Sequence, residues 1–143
     1  MNVSDLMNSN VISIAPDETA ATAARLLTRH DVGSLPVCSA DGKLRGILTD
    51  RDIVLRCVAA ECDPQTTTVR EIMTRGVSTA APEEDIRAAS HIMARGRIRR
   101  LPVVSGDGKV VGMLSLGDLA KNHSYDMEAS KALSEICQNI RRC

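Results

Sequence analysis

Aromatic side chains are almost missing from this chain: its 143 residues include one Tyr, no Phe and no Trp. The core is therefore aliphatic, built from Val, Ile, Leu, Met and Ala, and a flat ligand would be gripped by aliphatic groups rather than by ring stacking. An excess of either charge is missing as well. Eighteen Lys and Arg balance eighteen Asp and Glu, so the basic surplus that marks nucleic-acid binders is absent and nucleic acid is not an expected partner. No apolar run reaches the length of a membrane span. The opening MNVSDLMNSN has neither the basic start nor the apolar stretch of a signal peptide. The expected location is cytoplasmic, with no membrane partner.

Catalytic signatures are lacking too. There is no nucleophile elbow, His-Glu-x-x-His, P-loop or Gly-rich dinucleotide fingerprint. The expectation is a protein that is not an enzyme and requires no cofactor. Five cysteines (Cys38, Cys57, Cys62, Cys137 and Cys143) are an odd number without CxxC spacing, as expected of unpaired thiols in a reducing compartment. Cys57 and Cys62 flank a short acidic loop and could pair under oxidation. His30, His91 and His123 are scattered, and no metal site is expected.

What the chain does have is a repeat. A shift of 66 positions aligns Asn2–Ile53 with Thr68–Leu119 without a gap, and 18 of the 52 pairs are identical, against roughly three by chance. The matches include Met7/Met73, Pro16/Pro82, Leu35-Pro36-Val37/Leu101-Pro102-Val103, Asp41-Gly42-Lys43/Asp107-Gly108-Lys109, Gly46/Gly112 and Asp52/Asp118. The chain carries an internal duplication.

Each copy predicts the same order of elements. Asn2 and Thr68 stand as N-caps, with Asp5 and Glu71 three residues on, so each copy opens on a short helical turn. A short apolar strand follows (VISI, VSTA), then a proline and an acidic pair, Asp17-Glu18 or Glu83-Glu84, suited to a helix N-terminus. Ala20, Ala23, Ala24 and Leu27 recur at helical spacing, as do Ile86, Ala89, Ser90 and Met93. SLPVC and RLPVV read as strands whose prolines belong at an edge. Asp-Gly turns join them to LRGILT and VVGMLS, and a second helix begins after Thr49 or Ser115. The order is β-α-β-β-α, twice. A copy of about fifty residues buries too little apolar surface to be comfortable alone, so the two are expected to pack face to face. After the second copy, Met127, Ala129, Ala132, Leu133, Ile136 and Ile140 form one stripe on a C-terminal helix expected to pack on the module or on another subunit. The expected boundaries are residues 2–57 for the first repeat, 58–67 for a linker, 68–122 for the second repeat and 123–143 for the terminal helix.

Thr49-x-x-Asp52 and Ser115-x-x-Asp118 fit two physical readings. One is a helix N-cap answered by an acid three residues later, although Glu or Gln is the usual partner there. The other is a ligand site, in which an ionised carboxylate at a helix start accepts from two neighbouring hydroxyls. Asp50 and Asp52 lie two apart on a helix and diverge by about 200°, which argues against a shared metal ion. The copies differ before their LPV strands, Val32-Gly33-Ser34 against Ile98-Arg99-Arg100. Strand alternation predicts that Arg99 and Arg100 face opposite ways; either one of them clamps a phosphate with its planar fork or the two form a solvated basic surface. Gly46 and Gly112 mark places where another backbone or a ligand approaches the strand.

The duplicated β-α-β-β-α order, the LPV strands, the Asp-Gly turns and the closing GILTDRD and GMLSLGD segments resemble a tandem pair of CBS domains, a Bateman module, over roughly residues 2–120. The resemblance is to the stand-alone, single-pair type. It implies a mixed α/β (α+β) fold of two repeats related by pseudo-two-fold symmetry, commonly paired into a homodimer. It also implies a regulatory module for AMP, ADP, ATP or S-adenosylmethionine, bound in clefts between the repeats as a regulatory ligand, acting on a partner protein the sequence does not name. By that resemblance Asp52 and Asp118 bind ribose hydroxyls, and Thr49 and Ser115 lie near phosphate. Adenine packs between Ser13-Ile14 and Leu35-Pro36 in one copy, and between Thr79-Ala80 and Leu101-Pro102 in the other. Asp50, where the second copy has Leu116, would repel a polyphosphate and favour the Asp118 copy. The alternative is an interaction or dimerisation module whose clefts stay unoccupied.

Overall fold

In a computed structural model of the protein, residues 1–122 and 125–138 are described. The elements run α1 (Val3–Leu6), α2 (Ala20–His30), β1 (Ser34–Cys38), β2 (Leu44–Thr49), α3 (Asp50–Ile53) leading into a π-helical turn (Val54–Val58), α4 (Val69–Ile72), α5 (Ile86–Gly96), β3 (Arg100–Val104), β4 (Val110–Ser115), α6 (Leu116–Ala120) and α7 (Asp126–Cys137). The fold is mixed α and β, with two antiparallel two-stranded sheets, β1–β2 and β3–β4.

The long helices form where the spacing predicts them. The α2 face of Ala20, Ala23 and Leu27 is buried, as is the α5 face of Ile86, Ala89, Ser90 and Met93. Their starts come slightly later than the acidic pairs. Thr19 caps α2 by accepting from Thr22 N at 3.2 Å, and Asp85 caps α5 by accepting from Arg87 N at 2.8 Å. Thr68 makes no side-chain cap bond, whereas Asn2 N donates to Asp5 Oδ2 at 2.8 Å. In the Asp-Gly turns Gly42 and Gly108 both have φ of 85°, a left-handed conformation that a glycine adopts without penalty.

The short strand expected at the front of each copy shrinks to one parallel bridge, Ile14 to Val37 and Ala80 to Val103. Proline explains why. Ile14 N donates to Pro36 O at 3.0 Å and Cys38 N to Ile14 O at 2.9 Å. The next bond in one direction would need an N–H on Pro36, and in the other an N–H on Pro16. Neither exists. Pro82 and Pro102 impose the same limit around Ala80, whose own two bonds are 3.0 and 2.8 Å.

Two compact units divide the chain differently from the repeats. One comprises Ile12–Val77 with Gly108–Val110; the other comprises Met1–Val11, Ser78–Asp107 and the chain from Val111 onward. They are named below for Asp52 and Asp118. The Asp52 unit has a core of Ile14, Ala20, Ala23, Leu27, Leu35, Val37, Leu48 and Cys57, closed by Val69, Ile72 and Met73 from α4 and its end. The Asp118 unit has Val3 from α1 in the same role, among Ile86, Met93, Leu101, Val103, Leu114 and Leu119. Each unit thus takes its closing helical turn from the opening segment of the other repeat. In the Asp118 unit α7 also packs on α5 and α6. Its buried stripe is narrower than the sequence predicts: Ala129, Ala132 and Ile136 are buried, whereas Met127 is 83% exposed and Leu133 44%. Met127 lies about 200° around the helix from Ala129 and cannot share its face. Ile140 lies outside the described residues.

Candidate functional site

The two Asp segments are built alike along the main chain. The Thr49 hydroxyl accepts from Asp52 N at 3.1 Å, and Asp52 Oδ2 accepts from Thr49 N at 3.0 Å. Ser115 and Asp118 repeat the exchange at 3.1 and 2.8 Å. Both are complete capping boxes in which Asp replaces the usual Glu or Gln. One oxygen of each carboxylate is therefore committed to its own helix.

The remaining bonds differ. In the Asp52 unit, Thr74 Oγ1 donates to Asp52 Oδ1 and Oδ2 at 3.2 and 3.3 Å. Arg56 Nη1 stands 3.8 Å from Asp52 Oδ1 and donates to the carbonyls of Ile72 and Met73 at 3.0 Å each. Asp52 is 8% exposed, and its carboxylate is satisfied within its own unit. Asp118 is half-buried. The positions equivalent to Thr74 and Arg56 hold Asn8 and Asn122. Asn8 Oδ1 accepts from Asn10 N at 2.9 Å. Asp118 Oδ1 has no hydrogen-bond partner among the described residues.

The segments expected to flank adenine are neighbours in each unit, joined by the bridges at Ile14 and Ala80. Leu35, Pro36, Leu101 and Pro102 are buried, Ser13 is exposed and Thr79 is half-buried. Burial pushes the Cys38 thiol up, and the neighbouring Ser13 hydroxyl, by favouring the thiolate, pulls it partly back. Thr79 borders a depression of about 540 Å³ with Ser78, Ile92, Arg95 and Gly96.

A second cleft in the Asp118 unit, of about 580 Å³, brings together Arg99, Arg100, Ser115, Leu116, Gly117 and Ala120, with Asp126, Ala129, Ser130 and Leu133 of α7 as its far wall. Asp118 does not border it; its neighbour Gly117 does. Both arginines line this one cleft, against the expectation that they diverge. Strand alternation does not separate them because β3 begins only at Arg100, leaving Arg99 outside the pleat. The contribution of α7 was not foreseen. The apolar stripe of that helix announced a packed face, but nothing in its sequence named the cleft beside it. Asp50 is exposed and accepts from Arg51 N at 2.8 Å, while Asp52 is buried, so the two acids do not converge. Among the described residues no cluster of His, Cys, Asp and Glu is placed to hold a metal ion.

A family model described as the CBS domain matches residues 3–58 and 69–124. The chain is 41% identical over 140 residues to the CBS domain-containing protein YhcV of Bacillus subtilis, covering 97% of this chain and 98% of that one. Among solved structures it resembles the CBS domain protein PAE2072 of Pyrobaculum aerophilum complexed with AMP, with TM-score 0.80, 26% identity and coverage of 91% and 98%. It also resembles the CBS domain pair of protein MJ0100 in complex with 5-methylthioadenosine and S-adenosyl-L-methionine, with TM-score 0.78, 29% identity and coverage of 88% and 98%.

Proposed function

The chain belongs to the CBS-domain family and carries the domain twice, and from that premise we propose that it is a non-catalytic regulatory module binding an adenosine-containing ligand through its Asp118 unit. The ligand classes are AMP, ADP, ATP and S-adenosylmethionine. Two of the solved relatives were crystallised with AMP, or with S-adenosylmethionine and methylthioadenosine, which supports that range. The observation that carries the choice of unit is the difference between the acids. Asp118 keeps Oδ1 for a ribose hydroxyl, whereas Asp52 spends both oxygens on Thr49, Thr74 and Arg56.

The rest of the unit suits such a ligand. Ser115 Oγ accepts from Asp118 N, and its own O–H remains to donate to a phosphate oxygen. Arg99 and Arg100 border the adjoining cleft, where planar guanidinium forks match phosphate. Leu116 occupies the place of Asp50, so the acid at that position is missing here, although Asp126 stands on the far wall of the cleft. As proposed, the module works as a homodimer in the cytoplasm and reports ligand occupancy to a partner protein by a shift between conformations. Thermal denaturation with AMP, ATP and S-adenosylmethionine in turn tests it. Binding to the folded state raises the melting temperature with ligand concentration. A melting temperature unmoved by all three leaves the interaction module with unoccupied clefts as the better account.

A further inference from the structure

The helix that carries Asp52 ends in a Schellman motif. Glu61 is left-handed with φ of 59°, its N–H donates to Val58 O at 3.1 Å, and Cys62 N donates to Cys57 O at 2.9 Å. These are the two bonds that define the motif, with Cys57 at the third residue from the helix end and Cys62 two beyond the cap. An apolar contact between the side chains at these two positions frequently accompanies the motif. Here both are thiols.

The geometry points to Cys57 and Cys62 as a dithiol pair that closes reversibly to an intramolecular disulfide. The 2.9 Å hydrogen bond between their main chains, with standard bond lengths, holds the two Cα atoms within about 6.8 Å, inside the span a disulfide bridges. Cys57 is fully buried, and its thiol donates to the main-chain oxygen of Cys62 at 3.6 Å. Cys62 is exposed, its thiol resting 3.8 Å from Ala60 O. A change of χ1 rotamer at Cys62 turns its sulfur from Ala60 towards Cys57. The equivalent positions of the second repeat are His123 and Glu128, so the pair belongs to one repeat alone.

Exposure assigns the order of events. The Cys62 thiolate attacks one sulfur of a small-molecule disulfide such as oxidised glutathione, breaking that S–S bond and releasing one glutathione thiolate. Cys57 then attacks the Cys62 sulfur of the mixed disulfide and expels the second glutathione. Two protein thiols are oxidised, one disulfide is reduced, and the two protons pass to the departing thiolates. Cys57 is screened from the oxidant and acts only as the resolving thiol.

Trypsin cleavage after Arg56 and Arg70 leaves both sulfurs in one peptide, Cys57 to Arg70, which makes the test direct. The reduced full chain is held with oxidised glutathione to a plateau, quenched in acid, alkylated in denaturant and digested. The expected peptide is two hydrogens lighter than its reduced form and bears no alkyl group, and dithiothreitol restores two alkylatable thiols. A plateau peptide alkylated on both sulfurs, carrying glutathione on Cys62, or linked to another chain overturns the proposal.

Discussion

The Thr74 hydroxyl lies 3.2 and 3.3 Å from the two carboxylate oxygens of Asp52, 22 residues earlier in the chain. Thr74 follows α4, the turn that closes the Asp52 unit, so this bond ties the closing segment to the start of α3. Replacing Thr74 with Val keeps the shape and removes the donor from a carboxylate that is 8% exposed. The expected cost is about 1–3 kcal/mol, read as a lower urea midpoint. Asn8→Ala at the equivalent position removes no bond to Asp118 and is expected to cost less than about 0.5 kcal/mol. Equal costs for the two variants would show that the Thr74 bond contributes nothing.

The same asymmetry sets the expected ligand profile. Asp118→Ala removes the carboxylate assigned to ribose and should weaken adenosine-ligand binding at least about tenfold, or ~1.4 kcal/mol, by calorimetric titration. Its loss as a cap partner lowers stability by a further ~1 kcal/mol, a cost that does not depend on ligand. Asp52→Asn should leave affinity within about threefold while lowering stability, because that acid serves the fold. Equal losses of affinity in both variants would place ligand on both acids and refute the choice of unit.

Gly46 and Gly112 are equivalent in sequence but not in what surrounds them. A Cβ on Gly46 would stand 2.5 Å from the main-chain oxygen of Thr74, whereas on Gly112 it would meet Met7 Sδ at 2.5 Å and Asn8 O only at 3.2 Å. Methionine is a flexible side chain that can swing aside, and a main-chain oxygen bonded to Ile47 N at 2.9 Å cannot. Gly46→Ala is therefore expected to cost about 3 kcal/mol and Gly112→Ala about 1 kcal/mol. Urea denaturation with the reverse ranking would count against this account.

Much of this was legible from residues alone. The duplication, the LPV strands, the Asp-Gly turns and both buried helix faces follow from periodicity and turn chemistry. The truncation of the first strands was also written in the chain, since Pro16, Pro36, Pro82 and Pro102 remove the very donors a longer ladder needs. It stayed unread because the prolines act in pairs across a parallel bridge whose register is tertiary. The capping boxes were readable as one of two alternatives. The contrast between Asp52 and Asp118 was not, because Thr74 and Arg56 reach Asp52 from 22 residues away and from the next helical turn, and neither contact leaves a local signature. Likewise, the cleft beside Arg99 and Arg100 depends on where α7 lies, which its sequence does not state.

Ser13 and Cys38 couple a predicted ligand residue to a titrating thiol. Burial raises the Cys38 thiol above its ordinary value of 9.0, and the Ser13 hydroxyl, which donates to the thiolate, opposes the shift. A raised folded value means the folded protein holds the proton more tightly than the unfolded chain. The resulting stability is fully present below the unfolded value and is lost as pH climbs through the folded one. The rate of Cys38 alkylation by iodoacetamide, followed on the tryptic peptide His30 to Lys43, should rise with a midpoint above 9. Ser13→Ala removes the only opposing influence and should move that midpoint higher still. A midpoint that falls in Ser13→Ala would mean the hydroxyl favours the neutral thiol, reversing the direction of the Ser13–Cys38 bond.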